Sequence, residues 1–408
     1  MRRKKRRRQR SVLPLVLVGF AVIFLVTLWV SKRPTIETSG QSVAGPLTKN
    51  APFPKMTIEE ASVSDKYYYG QLTDKEKIAY KEVLQGIQTQ EKEIRLHLKN
   101  VNEVDKIYKY VLNDFPELFW WDGSASITTD ANVLQSYPIL TPNYQYQGAE
   151  LEAKKQEIEQ SVQACLNGIS SEAGEYEKIK YVYEYLIQNT DYNMEAPDNQ
   201  NIYSVFIHRQ SVCAGYSKAA QYLLNRMGVF CIYVTGTAVT KTAPEGQPHA
   251  WNLVRCEGEY YNMDTTWGDP VFLQEETAMR SSQISYDYLC CSDEQLFRTH
   301  TPEQTVKYPS CTATTYNYYV LNGLYYETYD KDAVEQAMLT SIDEQQSETC
   351  FQFANARDYQ IARDDILGTL IQNAVNHLCA RYGLSEVEYS YQEDETLYKL
   401  ILYWKYEK

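Results

Sequence analysis

The sequence predicts an α+β fold, helices first and antiparallel strands after. Three observations predict it. Apolar residues recur at helical spacing through 73–112 and again through 149–189. An amphipathic stretch, "SVCAGYSKAAQYLLNRMG" at 211–228, is followed at once by the β-rich run "FCIYVTGTAV" at 230–239. Two further β-rich runs, "HAWNLVRC" at 249–256 and "EYYNMDTTW" at 259–267, are joined only by Glu257–Gly258. Helices followed by hairpin-connected strands form an α+β pattern. A chain of 408 residues with 44% hydrophobic and 23% charged residues can bury a substantial core.

The elements follow in chain order. Residues 1–11 are a basic tail expected in the cytoplasm, and 12–31 read as a single transmembrane signal anchor. Val12 to Val30 is 19 residues without a charge, long enough to cross a hydrocarbon core of about 30 Å as a helix. Eight basic residues precede it and two follow, which places the N-terminus inside and the rest of the chain outside the cytoplasm. A cleaved signal peptide is the competing reading, but its apolar region is usually shorter, roughly 7–15 residues. Residues 1–33 hold ten Lys/Arg and no Asp/Glu, which leaves 30 basic against 53 acidic residues in the remainder, a net of −23. So acidic a body excludes nucleic acid as a partner. Residues 32–62, rich in Ser, Thr, Pro and Gly, read as a linker holding the body off the membrane.

Residues 63–170 are expected to form an N-terminal extension. Thr73 followed by Glu76 is a capping box, and Ile78, Tyr80, Val83, Leu84 and Ile87 continue the helix it opens. Val104, Ile107, Tyr108, Val111 and Leu112 mark a second helix, stopped at Pro116. The aromatics of "FPELFWWDG" are expected to anchor a corner of the core, and 124–147 reads as short strands. Helices follow near 149–167 and 172–189, the latter with Ile179, Val182, Tyr183, Leu186 and Ile187 on its buried face. Residues 301–408 are expected to extend the body as α+β structure. They offer strand-like "YNYYVLNGLYYE", a helix around 361–381 and a final strand "TLYKLILYWKY".

Nine cysteines are present, and outside the cytoplasm they are free to pair, with at least one left over from an odd count. No C-x-x-C or Cys/His cluster has zinc spacing. His377 with Cys379, and the adjacent Cys290–Cys291, are weak metal signals better read as packing or disulfide residues. Cys213 differs in place. Ser211 reads as an N-cap, Ala219, Ala220, Leu223, Leu224 and Met227 as the apolar stripe, and Gly228 as the stop. Cys213 then sits in the first helical turn, where free N–H groups and the helix dipole favour a thiolate and can also hold an oxyanion.

A working thiolate needs a base, and the base an orienting group. Of five histidines, only His249 starts a strand directly after a turn-rich segment. With the turn centred on Glu257–Gly258, paired positions sum to 515, so His249 faces position 266 and Trp251 faces Asp264; a sum of 513 sets His249 directly opposite Asp264. His249 and Asp264 then share one sheet face, at roughly 5–8 Å. Taken singly, a cysteine at a helix start, a histidine in a strand and an aspartate before a turn are ordinary structural residues. Their conjunction suggests a Cys–His–Asp triad.

"VCAGYSKAAQYLL", followed by "HAWNLV" and "GEYYNMDTTWGDP", resembles the transglutaminase-like superfamily over about 203–270. The resemblance implies a papain-like core, with a Cys-bearing helix packed on an antiparallel sheet, and a catalytic domain over 171–300. It assigns Cys213 as nucleophile, His249 as base and Asp264 as orienter. More loosely, 63–200 and 275–320 resemble membrane-anchored members from Gram-positive bacteria. One departure is "YEYL" at 183–186, where such proteins often carry His-Asp-Tyr-Leu. Thiol acyl transfer on protein or peptide amides at the cell surface is the function this implies, as crosslinking or deamidation. A cysteine peptidase and a non-catalytic peptide-binding scaffold are the alternatives. Tyr203, Tyr216, Trp251 and Trp267 are candidates to line the cleft, with packing the competing role for each. No cofactor or metal is expected.

Overall fold

Thr73 caps the first long helix, α1 (Asp74–Gln88), and the capping box is complete: its N–H reaches Glu76 Oε2 at 2.8 Å while its hydroxyl accepts from the Glu76 N–H. The computed structural model describes residues 52–129, 137–240, 243–269, 284–304, 306–385 and 387–406. The expected anchor at 12–31 and most of the expected linker at 32–62 lie outside these. Among the described residues no helix is long and apolar enough to cross a membrane.

Strand β1 (Ile94–Arg95) follows α1, then helix α2 (Val101–Asp114), and β2 (Trp121–Thr128) and β3 (Ile139–Tyr144) complete a three-stranded sheet in the order β1-β3-β2. The α1 and α2 faces are those the spacing predicts, with one correction. Tyr80, Val83, Leu84 and Ile87 are buried, but Ile78 is exposed. Asp114 ends α2 inside the core. Its carboxylate accepts from the Tyr68 and Tyr69 N–H groups at 3.0 and 2.9 Å and from the Tyr80 hydroxyl at 2.7 Å, so a buried charge is fully hydrogen-bonded.

Helices α3 (Gly148–Leu166), α4 (Glu175–Asn189) and α5 (Cys213–Arg226) come next, with the two-residue strands β4 (Asp191–Tyr192) and β5 (Gln210–Ser211) between α4 and α5. They lead into β6 (Cys231–Ala238), β7 (Gln247–Cys256) and β8 (Glu259–Met263), and β9 (His300–Pro302) closes the sheet in the order β8-β7-β6-β9. Helix α5 packs across β6 and β7, so a Cys-bearing helix on an antiparallel sheet is present as expected. Gly228 ends α5 at φ +79°, a left-handed stop that favours glycine. The hairpin register is the predicted one: Cys256 faces Glu259 and Asn252 faces Met263. The second strand ends earlier than predicted. It stops at Met263, and 265–268 is a helical turn, because the Asp264 side chain takes the Thr266 and Trp267 N–H groups that a strand would present sideways.

The C-terminal residues form a separate four-stranded sheet, β10-β11-β13-β12, from β10 (Tyr325–Tyr326), β11 (Glu348–Phe353), β12 (Tyr389–Asp394) and β13 (Lys399–Trp404). Helices α6 (Lys331–Asp343), α7 (Ala356–Asp365) and α8 (Ile371–Tyr382) supply its apolar cover, with a π-helical segment at Ile366–Leu370 between the last two. The stretch "YNYYVLNGLYYE" is mostly not strand. Asn317 caps a helical turn at Tyr318–Leu321, and only Tyr325–Tyr326 pair in the sheet. All nine cysteines are free thiols.

Candidate active site

Cys213 is the first residue of α5. The first backbone N–H groups of a helix have no acceptor within it, and those of Cys213, Ala214 and Gly215 are the ones concerned. The N-cap position is held by Val212, not Ser211, and without a side-chain bond. The Ser211 hydroxyl instead lies 2.7 Å from Ser204 Oγ and donates to Asn199 O at 3.0 Å. That leaves the helix start uncapped beside the thiol. Gly215 is required here: a Cβ would lie 1.9 Å from Ser211 Oγ and 3.1 Å from the carbonyl oxygens of Asn199 and Asn201.

His249 sits in β7 opposite Gly236 of β6, only 5% exposed. Its Nε2 lies 2.6 Å from Asp264 Oδ2, and Cys213 is near enough to the ring to help raise its pKa. With Nε2 committed to the aspartate, Nδ1 is the nitrogen left for the sulfur. Burial alone would push the His249 pKa down. Asp264 on one side and Cys213 on the other override it and raise the imidazole to about 10.

Asp264 is fully buried and uses its two oxygens differently. Oδ1 accepts the Thr266 and Trp267 N–H groups at 2.9 and 3.2 Å, and Oδ2 faces His249. Turn capping and histidine orientation, competing readings of this residue in the sequence, are served at once. Burial would raise its pKa, but His249 and the donated hydrogen bonds hold the carboxyl well below its ordinary range.

Of the four aromatic candidates, two come to the triad. Trp251 and Trp267 flank His249, with ring centroids at 6.2 and 6.0 Å, and form the wall behind it. Tyr216 is fully buried; its hydroxyl bonds Thr190 O and Asp269 Oδ2, which makes it a packing residue. Tyr203 bonds Glu157 Oε2 at 2.6 Å and stacks on Phe119, with Lys154 Nζ 3.9 Å from its ring centre, so it belongs to the α3 side of the core. Tyr183, at the departure in "YEYL", bonds Ser285 O at 2.7 Å, and burial together with the Asp264 charge keeps its phenol protonated.

Three neighbours were not found from the sequence. Tyr192 and Tyr233 both feel the charge of Cys213, and burial raises both phenols, so each stays protonated beside the sulfur. His300, from β9, places Nε2 3.1 Å from Asp264 Oδ2. Nothing local in "RTHTPEQ" signals it, because its place depends on β9 pairing with β6 across about sixty intervening residues. His249, Asp264 and His300 together could offer three ligand atoms to a metal ion, all within 4.8 Å of one another. The nitrogen–oxygen distances of 2.6 and 3.1 Å are equally those of hydrogen bonds, which need no ion.

Residues 163–265, which span Cys213, His249 and Asp264, match the profile of the transglutaminase-like superfamily. Among curated proteins, the chain is 25% identical over 155 residues to kyphoscoliosis peptidase of Mus musculus, covering 34% of this chain and 22% of that one. The match therefore spans about a fifth of the relative's length. Among solved structures, a TGase is similar at 17% identity, covering 39% of this chain and 47% of its own, with a TM-score of 0.26. A protein from Cytophaga hutchinsonii assigned as a cysteine protease is similar at 13% identity, covering 33% and 53%, with a TM-score of 0.24. Through its central helix-and-sheet core, residues 163–265, the chain is similar to the transglutaminase-like superfamily.

Proposed function

We propose that this protein is a thiol acyltransferase that acts on side-chain or peptide amides through Cys213, His249 and Asp264. The observation that carries the reading is His249, held between a buried carboxylate and the thiol at an uncapped helix start. Cys213 sulfur attacks the amide carbonyl carbon. The oxyanion is held by N–H groups at the start of α5, with Cys213 itself the first donor. His249, carrying the proton, delivers it to the departing nitrogen, and the C–N bond breaks to leave a thioester on sulfur and a free amine or ammonia. Asp264 keeps the imidazole turned toward the thiol and stabilises its charged form. An amine acceptor then yields an isopeptide bond, and water yields deamidation or peptide hydrolysis. No metal or cofactor is assigned to these steps.

The peptidase alternative uses the same residues and differs in the bond cleaved. A basic tail followed by 19 uncharged residues supports placing the body at the outer face of a membrane, where its substrates would be surface proteins or peptides. The protein incubated with a fluorescent primary amine and a glutamine-rich acceptor tests the reading. Dye incorporation that disappears in Cys213→Ala supports transfer. Cleavage without incorporation favours the peptidase. Either activity surviving Cys213→Ala rejects both.

A further inference from the structure

We infer that His300 is a positioning residue for the triad: a neutral second imidazole that donates Nε2–H to Asp264 and so fixes how strongly that carboxylate holds the His249 proton. The inference rests on the acyl-transfer reading of Cys213, His249 and Asp264. Two donors already serve Asp264 Oδ1, and Oδ2 faces two imidazole nitrogens, His249 at 2.6 Å and His300 at 3.1 Å. An ionised carboxylate only accepts, so His300 must carry its proton on Nε2. In the neutral ring Nδ1 is then the acceptor, and the Thr299 hydroxyl 2.8 Å away, which also lies 3.3 Å from Leu296 O, is its donor in this arrangement.

The surroundings keep this ring uncharged. The side chain is fully buried, and Trp267, Trp251 and Tyr288 enclose it at centroid distances of 4.6, 5.2 and 5.4 Å. Burial lowers its pKa first and the neighbouring His249 charge lowers it further; the Asp264 carboxylate and the Leu296 carbonyl work against them, and the net shift is downward. His249, Asp264 and Tyr288 are the titratable groups facing it from β7, the β8 end and the segment before β9.

The fold makes a specific allowance for this ring. Strand β9 pairs with β6 so that Ala238 faces His300 and Gly236 faces Pro302. A Cβ on Gly236 would lie 2.2 Å from Thr301 O and 2.7 Å from the Trp251 ring, so only glycine lets β9 come close enough. A leucine would fill the same aromatic box without burying a polar ring. What the histidine adds is one N–H on Oδ2, which shares that oxygen's charge between two donors. Without it the whole charge falls on His249. The imidazolium is then held more tightly and gives its proton less readily to the departing amine.

The test compares wild type, His300→Leu and His300→Gln as full-length protein. Gln places an amide N–H near the Nε2 position, and Leu places none. For His300→Leu, kcat falls about tenfold or more with KM within threefold. The alkaline edge of the pH profile for Cys213 alkylation by iodoacetamide moves up by roughly half a unit. His300→Gln recovers most of both. Leu and Gln variants equally impaired, or a Leu variant with wild-type kcat and an unmoved edge, overturn the proposal. Should His300→Leu not fold, nitrogen-15 NMR of the histidines in wild type decides it: His300 must be protonated on Nε2 and not Nδ1 from pH 6 to 8. The alkylation edge and the tautomer need no substrate. A failure of His300 is thus distinguishable from a failure of the acyl-transfer reading, which is seen as turnover indifferent to Cys213→Ala.

Discussion

At the residue scale, the three positions proposed as a triad differ in their surroundings. Cys213 gains open N–H groups because Ser211 turns its hydroxyl to Ser204 and Asn199 instead of capping the helix. The sequence reading placed the cysteine in the first turn correctly and the cap wrongly. Hydroxyl direction is set by the turn below the helix, which residue type alone does not reveal. Asp264 carries a pH consequence. His249 is raised in the fold from an unfolded value of about 6.5 to about 10. Its contribution to stability is therefore complete below about pH 6.5 and is lost as the pH rises through about 10. Asp264→Asn removes that contribution. The melting-temperature gap between wild type and Asp264→Asn should be widest near pH 6 and narrow towards pH 10.5; a constant gap across this range would show that the ion pair does not form. The same variant should lose at least about a hundredfold in kcat/KM, since an amide in place of the carboxylate no longer orients or stabilises the charged imidazole.

At the element scale, the β7–β8 hairpin was legible in the sequence because one short turn at Glu257–Gly258 fixes every pair, and the observed register is the predicted one. Strand β9 was not legible. It is three residues long and reaches β6 only after a long excursion, so no local pattern announces that His300 arrives beside Asp264. Gly236 is where that arrival is decided. Gly236→Ala puts a Cβ against the Thr301 carbonyl and should cost about 1–3 kcal/mol, the usual range for overpacking. Thermal unfolding checks the stability loss. Hydrogen exchange checks its place: the Ala238 and His300 amides should lose protection before those of the β7–β8 pairs. Gly215→Ala, crowding Ser211 Oγ and two carbonyls, should disturb the start of α5 instead and slow Cys213 alkylation.

At the scale of the whole molecule, two cores meet at a buried ion pair. The C-terminal sheet has its own apolar cluster, yet Lys399 from β13 reaches Asp287, which also accepts from the Tyr319 hydroxyl at 2.7 Å. Leu397 joins the cluster behind the site that contains Trp251, Trp267 and Tyr288. Sequence patterning did not expose this docking, because Lys399 lies in an otherwise apolar strand and reads as its edge. Lys399→Ala leaves the Asp287 charge buried and unpaired and should destabilise the protein by about 3 kcal/mol or more, measured by urea unfolding. The pair Lys399→Met with Asp287→Asn should recover much of that loss. The central claim is that amide acyl groups pass through the Cys213 sulfur. Its most direct measurement is the intact mass of protein quenched in acid after mixing with a glutamine-containing peptide. An adduct equal to the peptide less ammonia, mapped to Cys213 and absent in Cys213→Ala, is the expected result. Turnover of that peptide with no adduct on Cys213, and equal turnover by Cys213→Ala, would contradict it.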